Sequence, residues 1–199
     1  MRIGITGTIS AGKSSVSKII KDLGFMVYDT DQIVHDYYEK DAVLYDQIID
    51  LLGKEILDEK LEIDRKKIAY KVFNDKSLLE NLESLIFPQV RKDIETLSED
   101  DALTFFEVPL LFEAQYDDIF DFIIVVDAKE KTRIQRAMNK GLELEDIENR
   151  MKRQLSAEEK RNRADFIIEN NHDMESLKEE VQEVLEIIKL ERAKSWIKT

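Results

Sequence analysis

The residues best suited to chemistry stand near the beginning of the chain, in the segment GTISAGKS at positions 7–14. The segment fits the pattern G-x-x-x-x-G-K-[ST], whose glycines allow a tight loop with inward-pointing N–H groups that bind phosphate. Lys13 can reach the β- and γ-phosphates of a nucleoside triphosphate, and the Ser14 hydroxyl can ligate Mg²⁺. The pattern predicts a triphosphate site formed by Gly7, Thr8, Ile9, Ser10, Ala11, Gly12, Lys13, Ser14 and Ser15.

Two aspartates in the segment VYDTDQ, at positions 27–32, are candidates for acid–base chemistry. A kinase needs a carboxylate that accepts the proton of the acceptor hydroxyl. Asp31 is predicted to be this base, because the strand before it should end beside the phosphate loop. Aspartate also commonly caps a following helix, so the local sequence leaves capping as an equal alternative for Asp29 and for Asp31.

A basic segment, residues 129–163, contains 11 basic and 7 acidic residues in a chain whose formal net charge is −13. Its spacing predicts two helices joined at Lys140 and Gly141, and such a hairpin can close over a triphosphate and stabilise the transferring phosphoryl group. Arg136 and Lys140 are the predicted nucleotide contacts. The alternative for such a segment is a solvated charged face, and several of its cations are expected to have that role.

The motifs that are absent narrow the class of triphosphate-binding protein. A GTPase normally carries N-K-x-D, and the nearest string, NKGL at positions 139–142, lacks the carboxylate. An ATPase that drives a partner would be expected to end a strand with a carboxylate pair, whereas Glu107 and Asp127 each stand alone. A kinase with an aspartate base and a cationic lid fits the sequence better.

The elements that must position these residues alternate between short apolar strands and helical segments. Strands are predicted in RIGIT, FMVYD, ALTFFEVPLLF, FDFIIVVDA and ADFIIEN, and a final helix is predicted from about residue 174. Parallel strands joined by helical crossovers form a sheet covered by helices, and ligands collect at the carboxyl ends of the strands. The predicted fold is therefore a three-layer α/β/α fold with a five-stranded parallel sheet.

The stretch between the second and third strands is rich in predicted helix, with breaks expected near Gly53 and Pro88. It is the natural candidate for a helical insert on the acceptor side. The predicted organisation is one unit with a core of residues 1–37, 99–128 and 164–199, an insert of residues 38–98 and a lid of residues 129–163.

The composition restricts the cellular location and the binding partners that are expected. The absence of cysteine, of a signal peptide and of a long apolar run predicts a cytoplasmic protein. The net charge of −13 opposes binding to nucleic acid or to an anionic membrane. The expected partners are small-molecule substrates, and the expected state is a monomer or weak homo-oligomer. His35 and His172 have no partner at metal-ligand spacing, and neither is assigned a role.

In order and approximate spacing, these segments resemble bacterial dephospho-CoA kinases. The resemblance covers about residues 2–185 and is carried by GITGTISAGKSS, VYDTDQIV, DRKKIAYKVFND, FPQV, VPLLFE, IVVDA, RMKRQLS and ADFIIENN. It implies transfer of the γ-phosphate of ATP, with Mg²⁺, to the ribose 3′-hydroxyl of dephospho-CoA, which is the last step of coenzyme A synthesis.

The resemblance also implies roles for individual residues. Asp31 matches the catalytic aspartate of the family, and Lys13 and Ser14 match its phosphate and Mg²⁺ positions. Arg65 matches a basic position near the acceptor, and Arg136 and Lys140 fall in the lid. The motif that lines the acceptor pocket corresponds to Pro109, Leu110, Leu111 and Glu113.

The chain departs from the family pattern at five positions. Thr8 and Ser10 stand where glycine is usual, so both must accept the loop geometry with a β-carbon. His35 and Phe87 replace a common arginine and a common histidine, and Lys140 stands near an expected arginine. Two alternatives to the predicted function are a kinase of another small acceptor, such as a nucleoside or a nucleoside monophosphate, and a nucleotide-dependent regulatory ATPase.

Overall fold

The computed structural model describes residues 1–73, 75–98 and 102–197, and it describes side chains as far as residue 194. The strands are β1 (Arg2–Gly7), β2 (Met26–Asp29), β3 (Thr104–Glu107), β4 (Phe122–Asp127) and β5 (Phe166–Glu169). The helices are α1 (Lys13–Asp22), α2 (Thr30–Asp36), α3 (Tyr45–Leu52), α4 (Arg65–Phe73), α5 (Lys76–Leu97), α6 (Glu130–Asn139), α7 (Leu144–Arg153), α8 (Ala157–Asn162) and α9 (Met174–Ile197).

The five strands form one sheet in the order β2-β3-β1-β4-β5. The central strand β1 pairs in parallel with β3 and with β4, so that Ile5 stands beside Glu107 and Gly7 beside Val126. β4 and β5 are also parallel. With helices on both faces, this sheet confirms the predicted three-layer fold and puts the carboxyl end of the central strand, where ligands collect, directly before the phosphate loop.

The alternation of side chains along β1 divides the core between the two faces of the sheet. Ile3 and Ile5 are fully buried in a cluster that also contains side chains of α1 and α9. Gly4 points to the opposite face, where a β-carbon would lie 2.5 Å from Leu111 Cδ1 and 3.2 Å from the Phe120 ring. The close packing on this second face explains why the strand carries a glycine between two isoleucines.

Two details of the predicted elements are wrong. The third strand ends at Glu107, and the residues from Pro109 onward form turns instead of extending the strand. The expected break near Pro88 does not occur, because α5 runs through the proline. This helix buries Leu82, Ile86, Val90 and Ile94 at four-residue spacing, and the packing offsets the roughly 3 kcal/mol cost of a proline in a helix interior. The break near Gly53 is confirmed, because α3 ends there.

The contacts between Cα atoms divide the chain into two compact units, one of residues 1–28 and 98–199 and one of residues 29–97. The sequence predicts an insert of residues 38–98, whereas the second unit begins at residue 29. Residues 99–101, which follow the predicted end of the insert, lie outside the described residues. Within the described ranges, the structure contains no helix with the length and apolar character needed to cross a bilayer.

The burial of the central strands predicts how strongly the fold depends on them. Ile124 on β4 is fully buried, and we expect Ile124→Ala to lower the free energy of unfolding by about 2–5 kcal/mol because it removes packed apolar surface. Ile187→Ala on α9 is the matched control, since 47% of Ile187 is exposed, and it should change stability by less than about 0.5 kcal/mol. Urea unfolding of the three proteins measures both effects, and equal losses would contradict the assigned core.

Candidate active site

The loop between β1 and α1 has the backbone conformation that phosphate binding requires. Ser10 has φ +56° and Gly12 has φ +109°, both in the left-handed region. Ser10 therefore accepts this conformation with a β-carbon, as the sequence analysis required of it. The helix α1 begins directly after the loop at Lys13, so its first N–H groups and its partial positive charge point to the loop.

Gly12 makes room for the side chain of Asn170. A β-carbon at position 12 would lie 1.9 Å from Asn170 Nδ2. This amide nitrogen donates to the Ala11 carbonyl at 2.9 Å, and Asn170 is almost fully buried. Asn170 directly follows β5 and was not identified as a site residue in the sequence. Its position at the carboxyl end of a predicted strand was the signal that could have found it.

Arg136 of α6 reaches the same contact. Its Nη2 donates to the carbonyl oxygen of Asn170 at 3.1 Å and to Asn170 Oδ1 at 3.3 Å, and its Nη1 donates to the Ala11 carbonyl at 3.4 Å. A lid cation predicted from the sequence is therefore held beside the phosphate loop. Arg133, one turn earlier in α6, is instead buried and donates to the Ala128 carbonyl at 3.0 Å.

Lys13 and Ser14 lie at the inner end of the loop. Lys13 Nζ donates to the carbonyl oxygens of Gly7 and Thr8 at 3.1 and 3.2 Å, so its ammonium group lies over the loop. Ser14 Oγ donates to Glu107 Oε1 at 3.0 Å. Glu107 ends β3 and is buried, and the sequence analysis had set it aside as a single carboxylate.

A serine hydroxyl and a carboxylate at this position provide the hard oxygen ligands that Mg²⁺ accepts, together with water and phosphate oxygens. Ser14 and Glu107 therefore fit a magnesium ion that is shared with a nucleotide. Among the described residues, no group of three or more His, Asp or Glu side chains could hold a metal ion.

A cavity of about 370 Å³ adjoins the phosphate loop. Its lining includes Ser10, Gly12, Ser15, Arg136, Asn139, Lys140, Asn170, His172, Asp173 and Met174. The structure thus brings the predicted residues Ser15, Arg136 and Lys140 together, and it adds His172, to which the sequence analysis gave no role. Hydrogen bonds from the Ser176 N–H and hydroxyl lower the pKa of the Asp173 carboxyl and fix the beginning of α9 at the cavity wall.

The four residues after β3 that are predicted to line the acceptor pocket have different environments. Leu111 is fully buried against Gly4, so it belongs to the core and not to a pocket surface. Glu113 accepts hydrogen bonds from Lys160 Nζ and from the Leu155 N–H, which makes it a structural contact. Pro109 and Leu110 are partly exposed, and their predicted contact with the acceptor stays a prediction.

In the second unit, the structure separates the roles of the two aspartates. Asp29 Oδ1 accepts a hydrogen bond from the Asp31 N–H at 2.9 Å, so Asp29 caps α2. Asp31 lies in the first turn of α2 and is exposed. The cap of α2 is therefore provided by Asp29, and Asp31 occupies the first turn.

Asp31 and His35 are four residues apart in α2 and share one face of the helix. Arg65 Nη1 lies 2.9 Å from His35 Nδ1. Because a guanidinium can only donate, His35 accepts this hydrogen bond through Nδ1. Burial raises the pKa of the neighbouring Tyr38, and the charge of Arg65 opposes the shift. Arg65 thus contacts His35, and Asp31 lies one helical turn from His35 on α2.

The fold and the loop define a class of protein. A glycine-containing loop joins the central strand of a parallel sheet to a helix and carries a lysine over its backbone. These are the features of the P-loop fold, and an arginine-bearing helical hairpin beside the loop is typical of its kinases, which transfer a phosphoryl group from a nucleotide to an acceptor. The protein is a P-loop kinase.

Similarity to known proteins narrows this class. A sequence profile of dephospho-CoA kinase matches residues 1–176. The dephospho-CoA kinase of Aquifex aeolicus is 38% identical over 188 residues, which is 93% of this chain and 96% of the Aquifex protein. The chain belongs to the dephospho-CoA kinase family, and the family identified from the sequence is confirmed.

Solved structures agree with this assignment. The crystal structure of TT1252 from Thermus thermophilus superposes with a TM-score of 0.80 at 32% identity and covers 93% of this chain and 96% of the other. The structure of dephospho-CoA kinase from Campylobacter jejuni superposes with a TM-score of 0.70 at 29% identity and covers 94% and 96%. The similarity in both cases extends over nearly the whole chain.

The contact between Gly12 and Asn170 predicts the effect of a methyl group in the loop. We expect Gly12→Ala to weaken the binding of a fluorescent ATP analogue by about tenfold to a hundredfold, because the methyl would displace the Asn170 amide. Gly24→Ala is the control, since Gly24 has φ +90° but nothing within 4 Å of a β-carbon. An equal loss of affinity in both variants would mean that backbone strain, and not displacement of Asn170, causes the effect.

Proposed function

We propose that the protein transfers the γ-phosphate of ATP to the 3′-hydroxyl of the ribose of dephospho-CoA, giving coenzyme A and ADP. The observation that carries the proposal is the match to the dephospho-CoA kinase family over residues 1–176. The intact phosphate loop, with Lys13 over its backbone, supports the use of a nucleoside triphosphate as donor.

The triphosphate binds to the N–H groups of the loop and of the first turn of α1. The nucleoside occupies the adjoining cavity of about 370 Å³, between the loop and the beginning of α9. Lys13 neutralises charge on the β- and γ-phosphates, and Arg136 and Lys140 add positive charge from the lid. The contacts of Arg136 with Ala11 and Asn170 support its place at the nucleotide.

Ser14 and Glu107 would hold Mg²⁺, with Ser14 as the ligand predicted from the sequence and Glu107 as an additional carboxylate. The ion would supply positive charge that stabilises the phosphate oxygens. The hydrogen bond of 3.0 Å between the two side chains supports the assignment, because it keeps both oxygens at the beginning of α1.

Asp31 accepts the proton of the 3′-hydroxyl, whose oxygen then attacks the γ-phosphorus atom as ADP leaves. Its exposed position at the start of α2, with the capping role taken by Asp29, supports this assignment. Arg65 binds an anionic group of dephospho-CoA, and His35 orients the guanidinium through its hydrogen bond. Pro109 and Leu110 provide apolar contacts to the acceptor.

The helical hairpin formed by α6 and α7 acts as the lid, within the predicted lid segment 129–163. It excludes water from the phosphoryl group, so that transfer to the acceptor exceeds hydrolysis of ATP. The excess of acidic residues, with a net charge of −13, supports a cytoplasmic enzyme that acts on small molecules without nucleic acid, as a monomer or weak homo-oligomer.

A coupled assay of ADP release tests the function. With Mg²⁺ and ATP, release should be stimulated by dephospho-CoA, with coenzyme A as product, and not by adenosine or AMP. Stimulation by adenosine or AMP instead would identify a kinase of another acceptor. Release that no small acceptor stimulates would contradict kinase activity and favour a nucleotide-dependent regulatory ATPase.

Replacing the carboxylate of Asp31 tests the mechanism. We expect Asp31→Asn to lower kcat with dephospho-CoA by about 100-fold to 10,000-fold, because the amide cannot accept the proton, and to leave ATP binding unchanged. Asp29→Asn is the matched control, because asparagine caps helices as well as aspartate does. Its kcat should stay within about twofold of the original value, and a large loss in the control alone would reverse the roles of the two residues.

A further inference from the structure

A series of polar contacts outside the nucleotide cavity connects the segment after β3 to the phosphate loop. In the loop, the Ile9 N–H donates to Gln154 Oε1 at 2.9 Å. Gln154 directly follows α7, and its backbone is extended, with φ −100° and ψ 150°. Its N–H donates to the Met151 carbonyl at the end of α7, and the contacts of the residues that follow it also help to place its side chain at the loop.

Glu113 provides those contacts. Its Oε1 accepts a hydrogen bond from the Leu155 N–H at 2.8 Å, one residue after Gln154. The same oxygen lies 2.9 Å from Lys160 Nζ, and Oε2 lies 3.2 Å from it. Lys160 also donates to the Pro109 carbonyl at 3.1 Å. Glu113 thus fixes the segment 155–160 at both of its ends.

Lys160 is an unusual anchor for a short helix. Of the six residues of α8, all of which the structure describes, Lys160 alone is buried, and its side chain is fully inaccessible. Burial lowers the pKa of the Lys160 ammonium, and the hydrogen bond to Glu113 opposes this shift. A buried ion pair contributes little net stability compared with apolar packing, but its directional bonds define a single register. The pair therefore fixes where the segment lies more than it stabilises the fold.

The contact at Ile9 affects one arm of the phosphate loop. Ile9 lies on the arm that comes from β1, whereas Gly12, Lys13 and Ser14 lie on the arm that leads into α1. The helix arm contributes the N–H groups at the positive end of α1, which carry most of the affinity for phosphate. A change at Gln154 would leave these donors in place and would alter the position of the other arm.

We propose that Gln154 is a positioning residue for phosphoryl transfer, which fixes the β1 arm of the phosphate loop through the Ile9 amide, and that the Glu113–Lys160 pair holds Gln154 in place. The role that follows for Glu113 differs from the acceptor contact predicted from the sequence. The catalytic part of this inference rests on the proposed function, whereas the hydrogen bond between Gln154 and the Ile9 amide does not.

Gln154→Met tests the first step, because methionine keeps the length of the side chain and removes the acceptor. In the protein without nucleotide, hydrogen exchange at the Ile9 amide should accelerate about tenfold or more. With dephospho-CoA, kcat should fall about tenfold or more, while the KM for ATP changes less than about threefold. Gln182→Met, at an exposed position of α9, is the control and should change none of these values. Unchanged exchange at Ile9 or an unchanged kcat in Gln154→Met would overturn the proposal.

The double variant Glu113→Leu/Lys160→Met tests the second step, because it removes both buried charges together and also removes the oxygen that accepts from the Leu155 N–H. It should fold, accelerate exchange at Ile9 and lower kcat. Added to Gln154→Met, it should cause little further loss of kcat, because both changes act through the same side chain. Independent, multiplicative losses would show that the pair does not act through Gln154. Glu191→Leu/Lys194→Met, which removes an exposed pair of the same residue types on α9, is the control.

The two readouts separate this proposal from the proposed function. If the original protein forms no coenzyme A, the function is wrong, whereas exchange at Ile9 still tests the hold by Gln154. If coenzyme A forms and Gln154→Met leaves exchange at Ile9 unchanged, the function stands and the proposal is wrong.

Discussion

Asn170 lies beside Gly12 in the space that a β-carbon would occupy, and the geometry of the nucleotide site depends on this close approach. The Asn170 amide binds the Ala11 carbonyl, and Arg136 binds both Ala11 and Asn170. One contact thus joins the phosphate loop, the end of β5 and a lid cation. Any side chain at position 12 would separate these three parts, which is the physical reason for a glycine there.

Several of the positive charges of residues 129–163 hold the structure together. Arg161 bonds Asp127 and Glu169 at 2.9 Å each and so connects the ends of β4 and β5, and these bonds raise its pKa. Lys160 is buried on Glu113. Arg136 and Lys140 line the nucleotide cavity. A local excess of basic residues therefore predicted the right segment, but a minority of its cations meet the cavity.

For the carboxylates too, the residue type in the sequence does not give the contact that the residue makes in the structure. Asp29 and Asp31 are equivalent in the local sequence, and the structure gives the capping role to Asp29. Glu107 was set aside because it had no second carboxylate beside it in the chain. In the structure its partner is the Ser14 hydroxyl, which is 93 residues away in sequence. A pair formed by a helix and a strand that are distant in the chain leaves no local spacing to detect.

The sequence by itself determined the phosphate loop, the five strands, the two helices that begin the basic segment and the family, because these features depend on local patterns of glycine, apolar and charged residues. Tertiary structure alone decided the contacts that make the site. Gln154 meets Ile9 across 145 residues, and Lys160 meets Glu113 across 47. It also decided that α5 continues through Pro88 and that Leu111 lies in the core. Such outcomes depend on packing between distant segments, whose energy exceeds local preference and which no short stretch of sequence encodes.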